Sequence, residues 1–445
     1  MKSTGTHRSY QIKTICNAPI ELIDGDRGKN YPKQHDFSSS GYCLFLNAGN
    51  VTKSGLDFHE CAFISEEKDS LLGKGKLRRG DIIVTTRGTL GNIGYYDKSA
   101  PYDKVRINSG MIILRPLESE LEATFLYCYL RSVLFQSQVT KLSSGSAQPQ
   151  LPIRDFRNIE IPLPPLPEQR RIAHILGTLD DKIENNRKTA KTLEAMAQAI
   201  FKSWFVDFDP VRAKMAGESP ESICKRLKLT PEILDLFPNR LVDSELGEIP
   251  EGWVDGSLGN ICSRRSARIG NRDAKVLSAV TEGRLAISDD YFTKRVYSKD
   301  IKNYLAVEWY DFAYNPSRIN IGSIGMLESH FLGAVSPVYV VFRPVEGYQQ
   351  FIKLYLRLAT TKQWIANFSS GSVRQSLSYD DFAAIPSVIP PKVIIDVFSS
   401  IHDFMKHSTD SLYECAIKTS GLRDAILPKL ISGEIRVPGL DDGAG

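Results

Sequence analysis

The chain predicts an α+β protein: two similar mixed α/β domains alternating with two long helices that pair as an antiparallel coiled coil about a pseudo-twofold axis. Three observations carry this reading. The first is an internal repeat at an offset of about 226 residues. Ser143-Ser144-Gly145-Ser146 returns as Ser369-Ser370-Gly371-Ser372, and Leu151, Asp155-Phe156, Ile159 and Pro164-Pro165 return as Leu377, Asp381-Phe382, Ile385 and Pro390-Pro391. Phe125 and Tyr129-Leu130-Arg131 match Phe351 and Tyr355-Leu356-Arg357, and Arg115-Pro116 matches Arg343-Pro344. The second observation is a heptad seam from Ile172 through Leu176, Leu179, Ile183, Asn186, Ala190, Leu193, Ala197 and Ile200 to Trp204. The third is a matching seam through Ile394, Phe398, Ile401, Met405, Ser408, Leu412, Cys415, Thr419, Leu422 and Ile426.

In chain order, residues 1–160 form the first mixed domain. Asp81 to Thr86 reads as a buried strand, followed by a turn broken by Gly88, Gly91 and Gly94; Met111 to Leu114 is a second strand. Leu121, Phe125, Tyr129 and Val133 stand at helical spacing, and a Ser/Gly/Gln loop closes the block. Residues 161–210 hold the first long helix, entered through a stiff proline run with Glu168 in its first turn, where the helix dipole favours an acid. Pro167 to Trp204 would span about 57 Å at the α-helical rise. Residues 211–391 carry a polar connector, reaching to about 250, and the second mixed domain; 392–437 are the second long helix and 438–445 a tail. Pro428 should end that helix, because proline removes a donor and clashes with the preceding turn. Asn186 and Ser408 are polar seam positions of the kind that fix register.

Composition excludes several classes. With 56 Lys+Arg against 52 Asp+Glu the chain is mildly basic, which permits a nucleic-acid partner without requiring one. No apolar run approaches the roughly 18 residues of a membrane helix, so no membrane partner is expected. Seven cysteines at scattered spacings read as reduced thiols in a cytoplasmic protein. His59-Glu60-Cys61 has no second ligand pair at zinc spacing, and His402 and His407 do not share a helix face, so no metal is expected. The nearest approach to an amino-methyltransferase loop, Asn315-Pro316-Ser317-Arg318, lacks the second proline and the aromatic ring. Gly73-Lys74-Gly75-Lys76 is not a P-loop, and Asp180-Asp181-Lys182, which mimics a nuclease motif, lies inside the first seam. The chain reads as a binding protein without a catalytic residue or cofactor of its own. A coiled-coil adaptor that never touches DNA is the alternative from another class, and a self-sufficient nuclease or methyltransferase the third.

Several longer motifs point further. Ile161-Pro162-Leu163-Pro164-Pro165-Leu166-Pro167-Glu168-Gln169-Arg170-Arg171-Ile172-Ala173, with Leu179-Asp180-Asp181-Lys182-Ile183, resembles the central region of type I restriction-modification specificity subunits. So do Ile200 to Pro210, Leu246 to Trp253, Ile23 to Gly28 and Leu427 to Ile435. The resemblance covers essentially the whole chain. It implies two target-recognition domains that each read one half of a bipartite, asymmetric site on double-stranded DNA. It also implies that the helices bind two modification subunits, through the Glu168, Gln169, Arg170 and Arg171 opening of the first, and that restriction subunits join that core. S-adenosylmethionine, Mg2+ and ATP then belong to the partner subunits. The second helix lacks the Glu-Gln-Arg-Arg opening.

Candidate DNA contacts fall into three sets. Arg87 and Arg318 precede glycine turns at equivalent places; arginine is the commonest guanine reader, although residues shared by both halves cannot make two half-sites differ, and a fold-supporting ion pair is the competing role. Gln148, Gln150, Arg374 and Gln375 lie in the Ser/Gly loops and have the groups to bond base edges or phosphates. Lys29, Tyr31 and Lys33, then Lys74, Lys76, Arg78 and Arg79, then Arg264, Arg265, Arg268 and Arg272 are diverged basic clusters suited to sequence reading.

Overall fold

Strand Asp81–Thr85 is buried along its whole length, and its pleat explains why. Ile82 and Val84 point into one apolar cluster with Ile112 and Leu114, whereas Ile83 points into a second with Met111 and Ile113. Both faces of the sheet are therefore covered, so the sequence shows an unbroken apolar run rather than alternation. The computed structural model describes residues 10–144, 150–281, 283–369 and 376–437. It divides into two compact units, Met1–Lys188 with Leu412–Gly445, and Thr189–Ser411.

The first unit has an antiparallel four-stranded sheet in the order Ile20–Asp24, Met111–Pro116, Asp81–Thr85, Ile93–Tyr96. Cys43–Leu46 runs parallel to Val105–Ile107 in a smaller sheet. The second unit repeats the plan: Cys262–Arg265, Val340–Pro344, Phe312–Tyr314, Ile324–Met326 in one sheet, with Lys275–Val280 parallel to Gly333–Val335 in another. The short strand before each long helix pairs back to the start of its domain, Glu160–Leu163 on Gln11–Thr14 and Pro386–Ile389 on Val254–Ser257.

The repeated residues do repeated work. Arg115 Nε donates to Asp81 at 2.8 Å and Arg343 Nε to Asp311 at 2.6 Å, and both carboxylates are 1% exposed. The Tyr129 hydroxyl donates to the Glu160 carbonyl at 2.8 Å, and Tyr355 to the Pro386 carbonyl at 2.7 Å. The two arginine bonds tie neighbouring strands of each larger sheet, and the two tyrosine bonds tie a helix to the strand that feeds a long helix.

The long helices are Leu166–Phe205 and Lys392–Ser432. In the first unit Ile172, Ala173 and Leu176 share a core with Leu427, Leu430 and Ile431; in the second Phe201, Trp204 and Phe205 share one with Ile394, Ile395 and Phe398. Early residues of one helix thus meet late residues of the other, which is antiparallel pairing. Asn186 is buried in its seam, with Nδ2 lacking a hydrogen-bond partner, and Ser408 is half-buried. Among the described residues no helix is long and apolar enough to cross a membrane.

Four expectations are corrected. Pro428 lies inside the second helix, which runs on to Ser432. Leu422 is 54% exposed while Ala416, Leu427 and Leu430 are buried, because a strict heptad drifts ~20° per repeat around a straight helix. Val133 is 72% exposed: the helix Ala123–Leu130 stops, and Ser132 caps a new one, Val133–Leu142. The polar connector is a packed subdomain, with helices Asp209–Met215, Pro220–Leu227 and Pro231–Asp235 burying Val211, Ile223, Leu234 and Phe237. Ser219 and Thr230, each a cap followed by proline, disguise the second and third of these short helices as loop.

Candidate nucleic-acid interface

The first candidate surface is built where strand Asp81–Thr85 ends. The Leu151 N–H donates to the Thr86 carbonyl at 3.1 Å, and Gln150 bridges both Arg87 and Ser144. Arg87 is therefore brought beside Gln150, over sixty residues away in the chain, and Gln150 beside Ser144. The second unit repeats the stitch with Leu377 N–H on the Pro316 carbonyl at 3.1 Å, beside Arg318. Arg87 and Arg318 are both exposed, and neither makes an ion pair among the described residues. Gln148, Arg374 and Gln375 lie outside the described residues.

Gly88, Gly91 and Gly322 stand in the turns with positive φ, whereas Gly94, expected in the turn, and its counterpart Gly325 lie in the following strands and serve packing. A Cβ on Gly94 would stand 2.6 Å from Leu56 Cδ2, and one on Gly325 would stand 2.4 Å from the Arg284 carbonyl carbon. Gly94 lets the separate hairpin of Val51–Thr52 and Gly55–Leu56 press onto the larger sheet of the first unit, and Gly325 does the same for the hairpin of Lys275–Val280 and Arg284–Ile287 in the second.

In the first unit Asp26 gathers two candidate segments. It accepts from Gly28 N–H at 2.7 Å and Gly73 N–H at 2.8 Å, which places Lys29 near Lys74, both exposed. The Gly28 bond first, against a smaller cost of burial, holds the Asp26 carboxyl below the ordinary range. Lys33 and Arg78 are exposed as well. Tyr31 is half-buried, edge-on to Phe45 at 5.8 Å. Two other members are consumed by the fold. Lys76 pairs with Asp69 at 2.9 Å. Arg79 donates to the carbonyls of Asp97, Ala100 and Tyr102 and to Asp103, with its guanidinium 4.3 Å over Tyr96.

Among the second cluster, Arg264 is exposed with no ion pair among the described residues. Arg265 stands 3.4 Å from Glu308, a carboxylate it shares with Arg343 at 2.9 Å. Arg268 donates to Asn303, and Arg272 to the carbonyls of Ile269 and Arg268.

The opening of the first long helix also sorts itself. Gln169 is 1% exposed, and that corrects its assignment as a partner contact. Its Nε2 donates to the Glu120 and Pro164 carbonyls at 3.0 and 2.8 Å, and its Oε1 accepts from Glu122 N–H at 2.8 Å. Glu168 accepts from Tyr10 and Arg171, leaving Arg170, 63% exposed, as the freest member. Asp180, the acid of the nuclease-like triplet, accepts from Arg423 at 2.5 Å and Arg131 at 3.4 Å. It is a charge clamp in a cleft of about 600 Å³ lined also by Lys53, Tyr95 and Tyr127. The second unit has a cleft of about 370 Å³ lined by Glu194, Lys353, Arg357, His402 and Lys406. Lys294, Arg295, Lys299 and Lys302 of the second unit are exposed too, and among the described residues none of them makes an ion pair.

The family model described as the type I restriction modification DNA specificity domain matches residues 9–195. The type I restriction enzyme HindI specificity subunit of Haemophilus influenzae is 25% identical over 92% of this chain and 98% of its own. The MjaIX specificity subunit of Methanocaldococcus jannaschii is 24% identical over 87% of this chain and 86% of its own. Among solved structures, the type I restriction-modification S subunit from M. genitalium is similar in fold, with TM-score 0.56 and 16% identity over 97% of this chain and 98% of that one.

Proposed function

We propose, from the premise that this chain belongs to the family of type I restriction-modification specificity subunits, that it reads a bipartite, asymmetric DNA site with one half assigned to each mixed domain. The chain is a non-catalytic subunit for DNA target recognition. On this reading its long helices recruit two modification subunits and, with them, the restriction subunits, and S-adenosylmethionine, Mg2+ and ATP are bound by those partners. The observation that carries it is the duplicated frame, which presents Arg87 and Arg318 exposed at equivalent turns while the surrounding cations differ. Contacts common to both halves suit phosphate, and diverged ones suit bases. The positioning set is Arg87, Arg318 and Gln150, and the reading set draws on Lys29, Lys33, Lys74, Arg78 and Arg264.

Exchanging residues 1–160 for those of a relative should change one half of the methylated sequence and leave the other. A change in both halves would sink the division of labour. Within that frame, Arg87→Ala should reduce the slope of log affinity against log salt by about 1 for any duplex. The unfolding free energy should stay within about 0.5 kcal/mol of the parent.

A further inference from the structure

In each unit a tight turn carries the chain from the smaller sheet to the larger. Asn108-Ser109-Gly110 joins Val105–Ile107 to Met111–Pro116, and residues 336–339 join Gly333–Val335 to Val340–Pro344. The turn is the same in both. Met111 N–H donates to the Asn108 carbonyl at 3.3 Å, and Tyr339 N–H to the Ser336 carbonyl at 2.9 Å. Strand register repeats as well, with Ile112 opposite Val84 and Val340 opposite Tyr314. Each turn therefore stands at the end of the larger sheet where the neighbouring strand leaves for Arg87 or Arg318.

Contacts on both sides hold the first turn in place. Thr86 donates to the Gly110 carbonyl through its N–H at 2.8 Å and its hydroxyl at 3.0 Å, and a Cβ on Gly110 would stand 3.7 Å from Arg87 Cβ. From the other side Arg27, paired with Asp24 at 3.1 Å, donates to the Ser109 carbonyl at 3.2 Å. The Ser109 N–H donates to the Tyr31 hydroxyl at 3.4 Å, and a Cβ on Gly25 would collide with the Asn108 carbonyl oxygen. The turn thus lies between Arg87 and the segment that carries Lys29 and Tyr31. In the second unit burial raises the Tyr339 hydroxyl pKa, opposed by the Ala279 N–H, the Arg318 charge and the Asn315 side chain. That ring reaches from its own turn to the one bearing Arg318.

The side chains differ where the backbone does not. Asn108 Oδ1 accepts from Gly110 N–H at 2.9 Å and is spent on the turn, whereas the Ser109 hydroxyl makes no hydrogen bond among the described residues. In place of Ser109 and Gly110 the second unit has Pro337 and Val338, both exposed, Val338 at 65%. A residue that makes two half-sites differ must hold an equivalent place with different chemistry, and this turn meets both conditions. In the major groove, base edges offer donors and acceptors to a hydroxyl, and thymine offers a methyl group to an apolar side chain.

We infer that this turn is a base-reading element of each domain, with the Ser109 hydroxyl on a polar base edge in one half-site and Val338 on a thymine methyl in the other. The inference rests on the DNA-recognition reading above and assigns part of its specificity to single side chains.

The test uses the full-length chain with its modification subunits and duplexes varied one base pair at a time through both half-sites. Val338→Ser should cut the preference for thymine at one base pair on the order of tenfold, in the half-site that the domain exchange assigns to the second unit. The other half-site and the salt slope should stay as in the parent, because no phosphate contact is lost. Ser109→Ala should relax one position of the first unit's half-site and leave the second's unaltered. Unchanged preference at every position in both variants overturns the inference and leaves the recognition reading standing. An equal loss on every duplex would place the turn on the DNA backbone and overturn it too. A parent complex that binds all duplexes alike overturns the recognition reading itself.

Discussion

The two units hold their long helices with the same backbone and different chemistry. At the repeat offset, Gln169, Leu176, Asp180 and Arg423 of the first unit correspond to Ile395, His402, Lys406 and Ala197 of the second. Gln169 anchors its helix through three hydrogen bonds, whereas Ile395, fully buried, anchors by apolar packing. Asp180 is clamped between Arg131 and Arg423, whereas Lys406 reaches Asp410 at 2.9 Å and Glu328 at 4.0 Å. Leu176 is fully buried, and the imidazole in its place, His402, is 8% exposed with Nδ1 unbonded. The difference teaches which parts of a duplicated fold are fixed. Strand order and the Arg–Asp pairs survive, because they close the sheet. The cleft residues diverge, because the sheets close without them, and in the second unit they leave the His402 Nδ1 without a hydrogen-bond partner.

The largest expected effect breaks what the units share. Arg115→Ala leaves Asp81 buried and unpaired, and Arg343→Ala does the same to Asp311; each should cost about 3–5 kcal/mol. All four tryptophans, Trp204, Trp253, Trp309 and Trp364, belong to the second unit, so tryptophan fluorescence follows Arg343→Ala and hydrogen exchange in Asp81–Thr85 follows Arg115→Ala. Burial, outweighing the Arg343 bonds, already holds the Asp311 carboxyl above the ordinary range. The native state therefore binds its proton more readily than the unfolded chain, so the Arg343→Ala loss should shrink as pH falls toward that carboxyl. A loss under 1 kcal/mol at both sites would show that the pairs do not close the sheets.

A smaller effect separates the two helix anchors. Gln169→Ala strands the Glu122 N–H and the Glu120 and Pro164 carbonyls, at a cost of roughly 1–3 kcal/mol. Arg170→Ala should leave stability unchanged. Denaturant midpoints for the pair decide it, and equal midpoints would place Gln169 outside the fold-supporting set.

The smallest effect is in pH dependence. Burial first, then Lys353, lowers the His402 pKa below 6.5, with Asp403 and Glu328 opposing. Its folded value lies under its unfolded value, so the unfolded chain takes up the proton first. The second unit should therefore lose stability as pH falls below about 6.5 toward the folded value. His402→Leu, the residue type of Leu176, should flatten the fluorescence-detected midpoint over that interval. An unaltered slope would exclude His402 as its source.

Much of this was legible in the residues. The repeat predicts two like units, the run Asp81 to Thr85 a buried strand, and the seams two antiparallel helices. Pro428 was misread because near a helix end the loss of one donor is small against the packing of Leu427, Leu430 and Ile431. Val133 was misread because helical spacing alone does not register the cap at Ser132. Which candidate cations are available for binding was not legible in the residues: Arg87, Arg318 and Arg264 are exposed, while Arg79, Lys76 and Gln169 are spent inside their domain.

What the sequence determined by itself is therefore periodic and local: the duplication, the long helices, and the strands whose neighbours in the chain are also their neighbours in pattern. Only the tertiary structure decided which polar groups are spent and which remain free. Arg79 meets Asp103 across 24 residues, Arg106 meets Asp69 across 37, and Gln169 meets Glu120 across 49. Such meetings depend on loop closure and on what else fills the space between, and no spacing rule encodes either.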